Sequence, residues 1–209
     1  MAVSFMAKHT LVQAAIVIAY LIGSIPTGYW LARLFFDIDI TEHGSGNIGA
    51  TNVARVLGNI KYFFLIFLID AGKAFVALWV IDWFFMPLIS PMFRITNLSL
   101  VATMLLLGNS HSIFLRGRGG KGVATLIGIV LFLYPWSVLW TMIGSWLLVL
   151  AVSRRVFIAS ISAAWVATIT CMLCTPPEQW LLVVFLLSST MWLMWRHKSN
   201  IKQFLRERR

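Results

Sequence analysis

Gly44-Ser45-Gly46-Asn47-Ile48-Gly49-Ala50-Thr51-Asn52-Val53-Ala54-Arg55 is a polar island in an apolar chain. Read as a water-facing loop, it divides the apolar residues on its two sides into distinct spans. Its glycines allow positive φ and let a ligand approach the backbone closely. Ser45, Thr51, Asn47 and Asn52 supply short side-chain donors at the turn. Arg55 adds a two-pronged cation suited to phosphate or carboxylate. Successive backbone N–H groups in such a turn can form a concave anion site. The stretch therefore reads as either a plain turn or a seat for a phosphorylated small molecule, and the rest of the chain has to decide between them.

Outward from the loop, 60% of the 209 residues are hydrophobic and 11% are charged. Soluble domains carry about 25% charged residues. With 10 Trp and 15 Phe, the composition places the chain among all-α integral membrane proteins. A net charge of +10 in a soluble protein would suggest nucleic acid as partner. Here the cations lie between apolar spans, so membrane topology and anionic ligands explain them and no nucleic acid is expected. Cys171 and Cys174 lie in an apolar run without other metal-ligand types, and read as structural thiols. Lys8 precedes an apolar run with no small-residue cleavage site, which predicts a retained membrane helix.

The apolar runs make about seven spans. The first covers Leu11 to Arg33 and is interrupted at Gly23-Ser24-Ile25-Pro26-Thr27-Gly28, where Pro26 removes a backbone donor. The second, Tyr62 to Phe85, carries Asp70 and Lys73 on one helix face, as a mutually neutralising pair or as a shaper of the nearby site. The others are Ile95 to Gly108, a span from Val123, one ending at Ser153, Val156 to Leu173, and Trp180 to Trp195, with a basic tail after Asn200. Ala159-Ser160-Ile161-Ser162-Ala163-Ala164 supplies small residues for close helix packing. Seven crossings put the termini on opposite sides. Fourteen Lys and Arg then share the side of the loops and C-terminus, against Lys8 and Arg94 on the other. Cations stay cytoplasmic, so the N-terminus is expected outside and the C-terminus inside, in one domain of residues 1–209.

That topology gathers four polar segments on the cytoplasmic side. They are the glycine loop, Arg116-Gly117-Arg118-Gly119-Gly120-Lys121-Gly122, the turn at Arg154, and Arg196-His197 with Asn200. Together they predict an electropositive pocket beside lipid, suited to phosphate groups and a long apolar tail. The second segment is not a nucleotide-binding P-loop. Counting back from Gly120-Lys121 puts Leu115 at the first glycine position, and Gly122 stands where Ser or Thr is required. Asp37, Asp39 and Glu42 have no evident His partner, and no His/Cys/Asp cluster has metal spacing. His197 by itself reads equally well as a helix-end cap.

At these residues the chain resembles the bacterial acyl-phosphate:glycerol-3-phosphate acyltransferases, the PlsY family. Residues 44–55 are similar to its first signature, Arg-Gly-Gly-Lys-Gly-Val-Ala-Thr at 118–125 to its second, Arg154 with Ala159-Ser160-Ile161 to its third, and Arg196-His197 with Asn200 to its C-terminal pattern. The resemblance implies transfer of a fatty acyl group from acyl phosphate to the 1-hydroxyl of sn-glycerol 3-phosphate in a bacterial inner membrane, an early step of phospholipid synthesis. The products are lysophosphatidate and phosphate, and neither cofactor nor metal is needed. It implies catalytic roles for Ser45, Arg55, Lys121, His197 and Asn200. Substrate contacts fall to Gly44, Gly46, Asn47, Thr51, Asn52, Gly119, Gly120, Gly122, Arg154, Ser160 and Arg196. No dedicated protein base is implied; a substrate phosphate takes the hydroxyl proton. The chain departs from the family pattern at Asn109 (usually His), Ser112 (usually Pro), Phe157 (often Ser) and Ser199 (often acidic).

Two rival readings belong to other classes. A transporter of a small organic phosphate would suit broken helices and a cationic site. Against it, the cations gather at one membrane face and no internal repeat is evident. The other rival is a purely structural lipid-binding protein. Turnover in detergent, without vesicles, separates the enzyme from both.

Overall fold

Within hydrocarbon an apolar segment satisfies its own backbone only as a helix or a closed barrel. The Leu- and Phe-rich runs take the helical route. The computed structural model describes residues 5–207, and among them it has ten α-helices and no strand. These are α1 (Phe5–Ser24), α2 (Thr27–Phe36), α3 (Ala50–Val56), α4 (Lys61–Phe84), α5 (Arg94–Ser110), α6 (Val123–Leu133), α7 (Trp136–Ser153), α8 (Val156–Cys174), α9 (Trp180–Arg196) and α10 (Lys198–Glu207). Short 3-10 turns cover Met86–Leu88, Pro91–Phe93, Ile113–Leu115 and Pro177–Gln179. Among the described residues, six spans, built on α1, α4, α5, α7, α8 and α9, are long and apolar enough to cross a membrane. At 11 residues α6 is shorter, about 16 Å at ~1.5 Å per residue against a hydrocarbon thickness of ~30 Å.

The chain divides into two compact units, Met1–Phe132 and Leu133–Arg209. In the first, α1 packs along α5 and against α4, and α3 packs on α4. The α1–α5 crossing is backbone on backbone. A Cβ on Gly23 would lie 2.4 Å from the Leu105 carbonyl oxygen, and one on Gly108 2.3 Å from that of Tyr20. Either methyl would push the helices apart, so these glycines set the approach distance.

The first span is two helices rather than one kinked helix. Pro26 has no N–H to continue α1, and α2 starts afresh at Thr27. Side chains take up the carbonyls released there. Ser112 Oγ donates to the Ser24 carbonyl. Lys73 Nζ donates to the Ile25 carbonyl at 2.7 Å and lies 2.7 Å from Asp70 Oδ1. Thr27 Oγ1 donates to that same carboxylate at 2.8 Å. The pairing of Asp70 with Lys73 expected from their spacing is present, and it ties α4 to the break.

In the second unit α8 packs on α7 and on α9. Its small residues Ala159, Ala163, Ala164 and Ala167 are fully buried, as close helix packing requires. Thr168 and Thr190 hydroxyls share a hydrogen bond of 2.9 Å between α8 and α9. The basic tail is ordered as α10, whose Ile201 N–H donates to the His197 carbonyl at 3.0 Å.

Candidate active site

The glycine stretch is a short loop that runs into a helix. Gly49 is extended (φ −76°, ψ 162°) and caps α3, so Thr51, Asn52 and Arg55 are helical rather than part of a twelve-residue loop. The loop is anchored from below by apolar side chains. Ile40, Ile48 and Val53 are buried in one cluster with Leu31, Ala32 and Ile66. Gly28 of α2 lets the loop come close, since a Cβ there would lie 2.1 Å from the Ile48 carbonyl oxygen.

Asn52 organises the loop from above. Its Oδ1 accepts from the Ser45 N–H at 2.9 Å, and its Nδ2 donates to the carbonyls of His43 at 3.0 Å and Asn47 at 2.9 Å. It is 3% exposed. The side chain expected to touch substrate is thus a brace that shapes the turn. Asn47 Oδ1 accepts from the Gly49 N–H at 2.9 Å. Gly44 and Gly46 adopt φ of 60° and 66°, and a Cβ on Gly44 would meet Asn52 Oδ1 at 2.4 Å. One turn earlier, Asp39 accepts from both the Thr41 hydroxyl (2.7 Å) and its N–H (3.0 Å). Those bonds hold the Asp39 carboxyl below its ordinary range, with Arg33 and Arg118 adding attraction. Presented outward from this scaffold are Ser45 and Arg55, both exposed, with Thr51 half-buried.

The second loop folds back along the end of α5. The Gly120 N–H donates to the Asn109 carbonyl at 2.8 Å, and Ser112 N–H to the Arg118 carbonyl at 3.2 Å. Tyr20 of α1 donates its hydroxyl to the His111 carbonyl at 2.8 Å. Gly119 is required by contact, because a Cβ would lie 2.4 Å from the Ser110 backbone. Gly122 has φ 85° at the entrance to α6, one residue after the half-buried Lys121. Leu115 packs on the same apolar cluster that supports the glycine loop, and Phe114 meets Trp30 of α2 with ring centroids 5.8 Å apart. The first unit therefore brings its two glycine-rich loops to one end.

The second unit carries the remaining expected residues. Arg154 caps α7 in the left-handed region (φ 53°), and its side chain is exposed. Ser160 is buried; its hydroxyl donates to the Val156 carbonyl at 2.9 Å and accepts from Trp146 Nε1 at 3.3 Å. His197 caps α9 and is 3% exposed. Its Nδ1 lies 2.8 Å from the Leu193 carbonyl oxygen, so Nδ1 carries the proton and Nε2 is an acceptor when the ring is neutral. Arg196 lies over the Trp195 ring at 5.9 Å. Asn200 is in the first turn of α10. The α7–α8 turn and the α9–α10 junction meet at one end: Arg155 pairs with Glu207 at 2.9 Å and stacks on Phe204 at 4.7 Å, and Phe204 packs edge-on to Phe157.

From the sequence, Thr41 and Tyr20 carry no role, Asp39 stands only as a carboxylate without a His partner, and Ser112 only as a departure from the family pattern. They position the loops without presenting a group outward, and only the tertiary partner reveals the role. Ser24 at the helix break was visible, but not that its carbonyl accepts from the Ser112 hydroxyl.

Comparison with known proteins bears on both units. Residues 13–207 match the family model described as glycerol-3-phosphate acyltransferase. A glycerol-3-phosphate acyltransferase of Thermosynechococcus vestitus is 42% identical over 192 residues, covering 90% of this chain and 89% of that protein. One from Listeria welshimeri is 36% identical and covers 88% of each. The crystal structure of PlsY (YgiH), an integral membrane glycerol 3-phosphate acyltransferase, in its glycerol 3-phosphate form, superposes with a TM-score of 0.82 at 31% identity. It covers 94% of this chain and 93% of that one. The lysophosphatidic acid form of the same protein gives 0.80.

Proposed function

The chain belongs to the glycerol-3-phosphate acyltransferase family, and from that premise we propose how its residues carry the transfer. It is a membrane acyltransferase acting on glycerol 3-phosphate. The donor in our reading is acyl phosphate. The oxygen of the 1-hydroxyl attacks the acyl carbonyl carbon, the bond from that carbon to the phosphate oxygen breaks, and the hydroxyl proton passes to a phosphate oxygen of the substrates. Lysophosphatidate and inorganic phosphate leave. Acyl phosphate already holds a good leaving group, so orientation and charge neutralisation supply most of the barrier reduction.

Arg55 holds phosphate as a fork, and Lys121 as a compact point charge. Ser45 donates its hydroxyl from the glycine loop. Gly44 and Gly122 offer backbone N–H groups to the anion from the two loops, while the N–H groups of Gly46 and Gly120 are held by the His43 and Asn109 carbonyls, so that these glycines and Gly119 shape the loops. From the second unit, Arg154, Arg196, His197 and Asn200 add cationic and hydrogen-bonding capacity for phosphate. Thr51 contacts substrate beside Ser45 and Arg55, and Asn47, Asn52 and Ser160 shape the segments that carry these groups. We take residues 1–209 as one functional domain, which the family match across 13–207 supports.

The observation that carries this reading is the exposed Ser45–Arg55 pair held on a braced loop, with Lys121 in the partner loop at the same end of the first unit. Its topology has seven crossings. Short α6 counts as one, since Thr125, Leu126, Gly128, Ile129 and Val130 are buried by neighbours rather than facing lipid. The N-terminus then lies outside, and the loops and C-terminus face the cytoplasm of a bacterial inner membrane. Purified protein in detergent, given acyl phosphate and glycerol 3-phosphate, should release lysophosphatidate with one phosphate per turnover. Acyl-CoA should not replace the donor. Equal rates with both donors would refute the donor assignment, and absence of turnover without a sealed vesicle would favour transport.

A further inference from the structure

We propose that α10 is a docking face for the anionic headgroups of the bilayer in which the chain is embedded. The span ending at Arg196 passes into α10 through His197 alone, so α10 begins at the membrane surface. Along Lys198–Glu207, Lys198, Lys202 and Arg206 recur every four residues, which places them on one helix face. All three are exposed. Beside that stripe at helical spacing lies Leu205, 56% exposed. Lys198 stands over the ring of Trp195 at 4.5 Å, and Trp195 is itself 47% exposed at the end of its span. An indole at the boundary, cations beyond it and one outward apolar side chain make up a surface that meets headgroups on one side and acyl chains on the other.

The opposite side of α10 is already occupied. Glu207 pairs with Arg155 at 2.9 Å, Gln203 Nε2 donates to Glu207 at 3.0 Å, and Phe204 packs between Arg155 and Phe157. The helix is pinned by its acidic and aromatic residues, which leaves the cationic stripe turned outward. Charge complementarity selects the occupant. Three cations with no carboxylate among them match phosphatidylglycerol-like headgroups, whereas a zwitterionic headgroup offers no net attraction. This inference uses none of the residues assigned to the acyl transfer, so it can fail while that reading stands.

The test is lipid retention by the full-length protein. Wild type and a Lys198→Gln/Lys202→Gln/Arg206→Gln variant are solubilised in mixed micelles of equal phosphatidylglycerol and phosphatidylcholine, washed, and the retained lipids measured by mass spectrometry. Other cationic segments are the same in both proteins, so the difference reads α10 alone. At roughly a fivefold preference per surface cation, the variant should lose on the order of tenfold or more of the phosphatidylglycerol enrichment. A Lys198→Arg/Lys202→Arg/Arg206→Lys protein should keep it. If the Gln variant is not monodisperse, the single variants Lys198→Gln, Lys202→Gln and Arg206→Gln decide: each should lose roughly fivefold of the enrichment. Unchanged enrichment in the triple Gln variant, or in all three single variants, overturns the proposal. Displacement of the lipid by millimolar inorganic phosphate also overturns it, because the stripe would then be a small-anion site.

Discussion

Breaking the buried ion pair beside Pro26 should injure both the fold of the first unit and the reaction. Asp70 and Lys73 side chains are 13% and 10% exposed. Removing one partner of such a pair leaves a charge stranded among apolar neighbours and costs about 3–5 kcal/mol. Here the survivor keeps one other contact, Thr27 for Asp70 or the Ile25 carbonyl for Lys73, so we take the lower end, about 3 kcal/mol. At roughly 2–4 °C per kcal/mol for a chain of this size, Lys73→Met and Asp70→Asn should each lower the melting temperature by about 6–12 °C. The double variant Asp70→Leu/Lys73→Met removes both charges, which is often near neutral. It still leaves the Ile25 carbonyl and Thr27 hydroxyl unsatisfied, a cost of about 1–3 kcal/mol per buried group.

The consequence for catalysis runs through α2. Thr27 starts that helix and Gly28 carries the Ile48 carbonyl of the glycine loop against it. A displacement of about 1 Å at a reacting group can cost ~10²-fold. With about 2–6 kcal/mol from the unsatisfied Ile25 carbonyl and Thr27 hydroxyl together, the double variant should melt about as low as the single variants and show a raised KM for glycerol 3-phosphate. Melting curves and steady-state kinetics on monodisperse detergent preparations check both points. A Lys73→Met protein melting within about 1 °C of wild type, where at least ~6 °C is expected, would refute the stranded-charge argument.

Three further outcomes concern the loops. Arg55→Ala and Lys121→Ala should each lower specific activity by roughly a hundredfold, the scale of one preorganised charge partner, and Arg55→Lys should rescue only partly because an ammonium lacks the guanidinium fork. Near-normal activity in a well-folded Lys121→Ala protein would end the phosphate role. Asn52→Ala should raise KM while leaving the membrane helices intact by circular dichroism, since three loop bonds vanish together. For topology, in a Cys174→Ser background, Arg118→Cys should be labelled by an impermeant thiol reagent only in inverted vesicles and Glu178→Cys only in right-side-out ones; the reverse pattern would overturn the orientation. Gly119 is unsuitable for that probe because any Cβ strikes the Ser110 backbone.

How much was legible in the sequence depends on how local the cause is. Pro26 ends α1 wherever the rest of the chain lies, and the apolar runs have to be helical in hydrocarbon. The i,i+3 spacing of Asp70 and Lys73 sufficed to pair them. The helical start at Ala50 was not legible, because residue types that suit an anion-binding turn also suit a helix N-terminus. Nor was the role of Asn52. An amide offers the same donors to a ligand as to a backbone, and only the folded loop shows all of its partners to be internal. The tail was read as charge, whereas its every-fourth cations and Phe204 needed Arg155 and Phe157 from another segment to become a pinned helix.

The four departures from the family pattern separate by what each residue does in this fold. Asn109 is buried where its own carbonyl takes the Gly120 N–H. That bond is a backbone one and survives a change of side chain, so the turn bearing Lys121 does not depend on the usual His. Ser112 goes further. Its hydroxyl donates to the Ser24 carbonyl and its N–H to that of Arg118; a Pro could make neither bond, but its restricted φ would stiffen the same turn. Phe157 exchanges a hydroxyl for a ring that meets Phe204 at 5.9 Å, adding an aromatic contact beneath α10. Ser199 is exposed, where the loss of an acid leaves the cationic stripe of Lys198 and Lys202 undiluted. Ser112 thus braces the loop that presents Lys121, the change at Asn109 leaves that loop's backbone bond intact, and the other two act on α10. None alters a group assigned to hold phosphate, which is how the chain can differ at these positions and keep the family's chemistry.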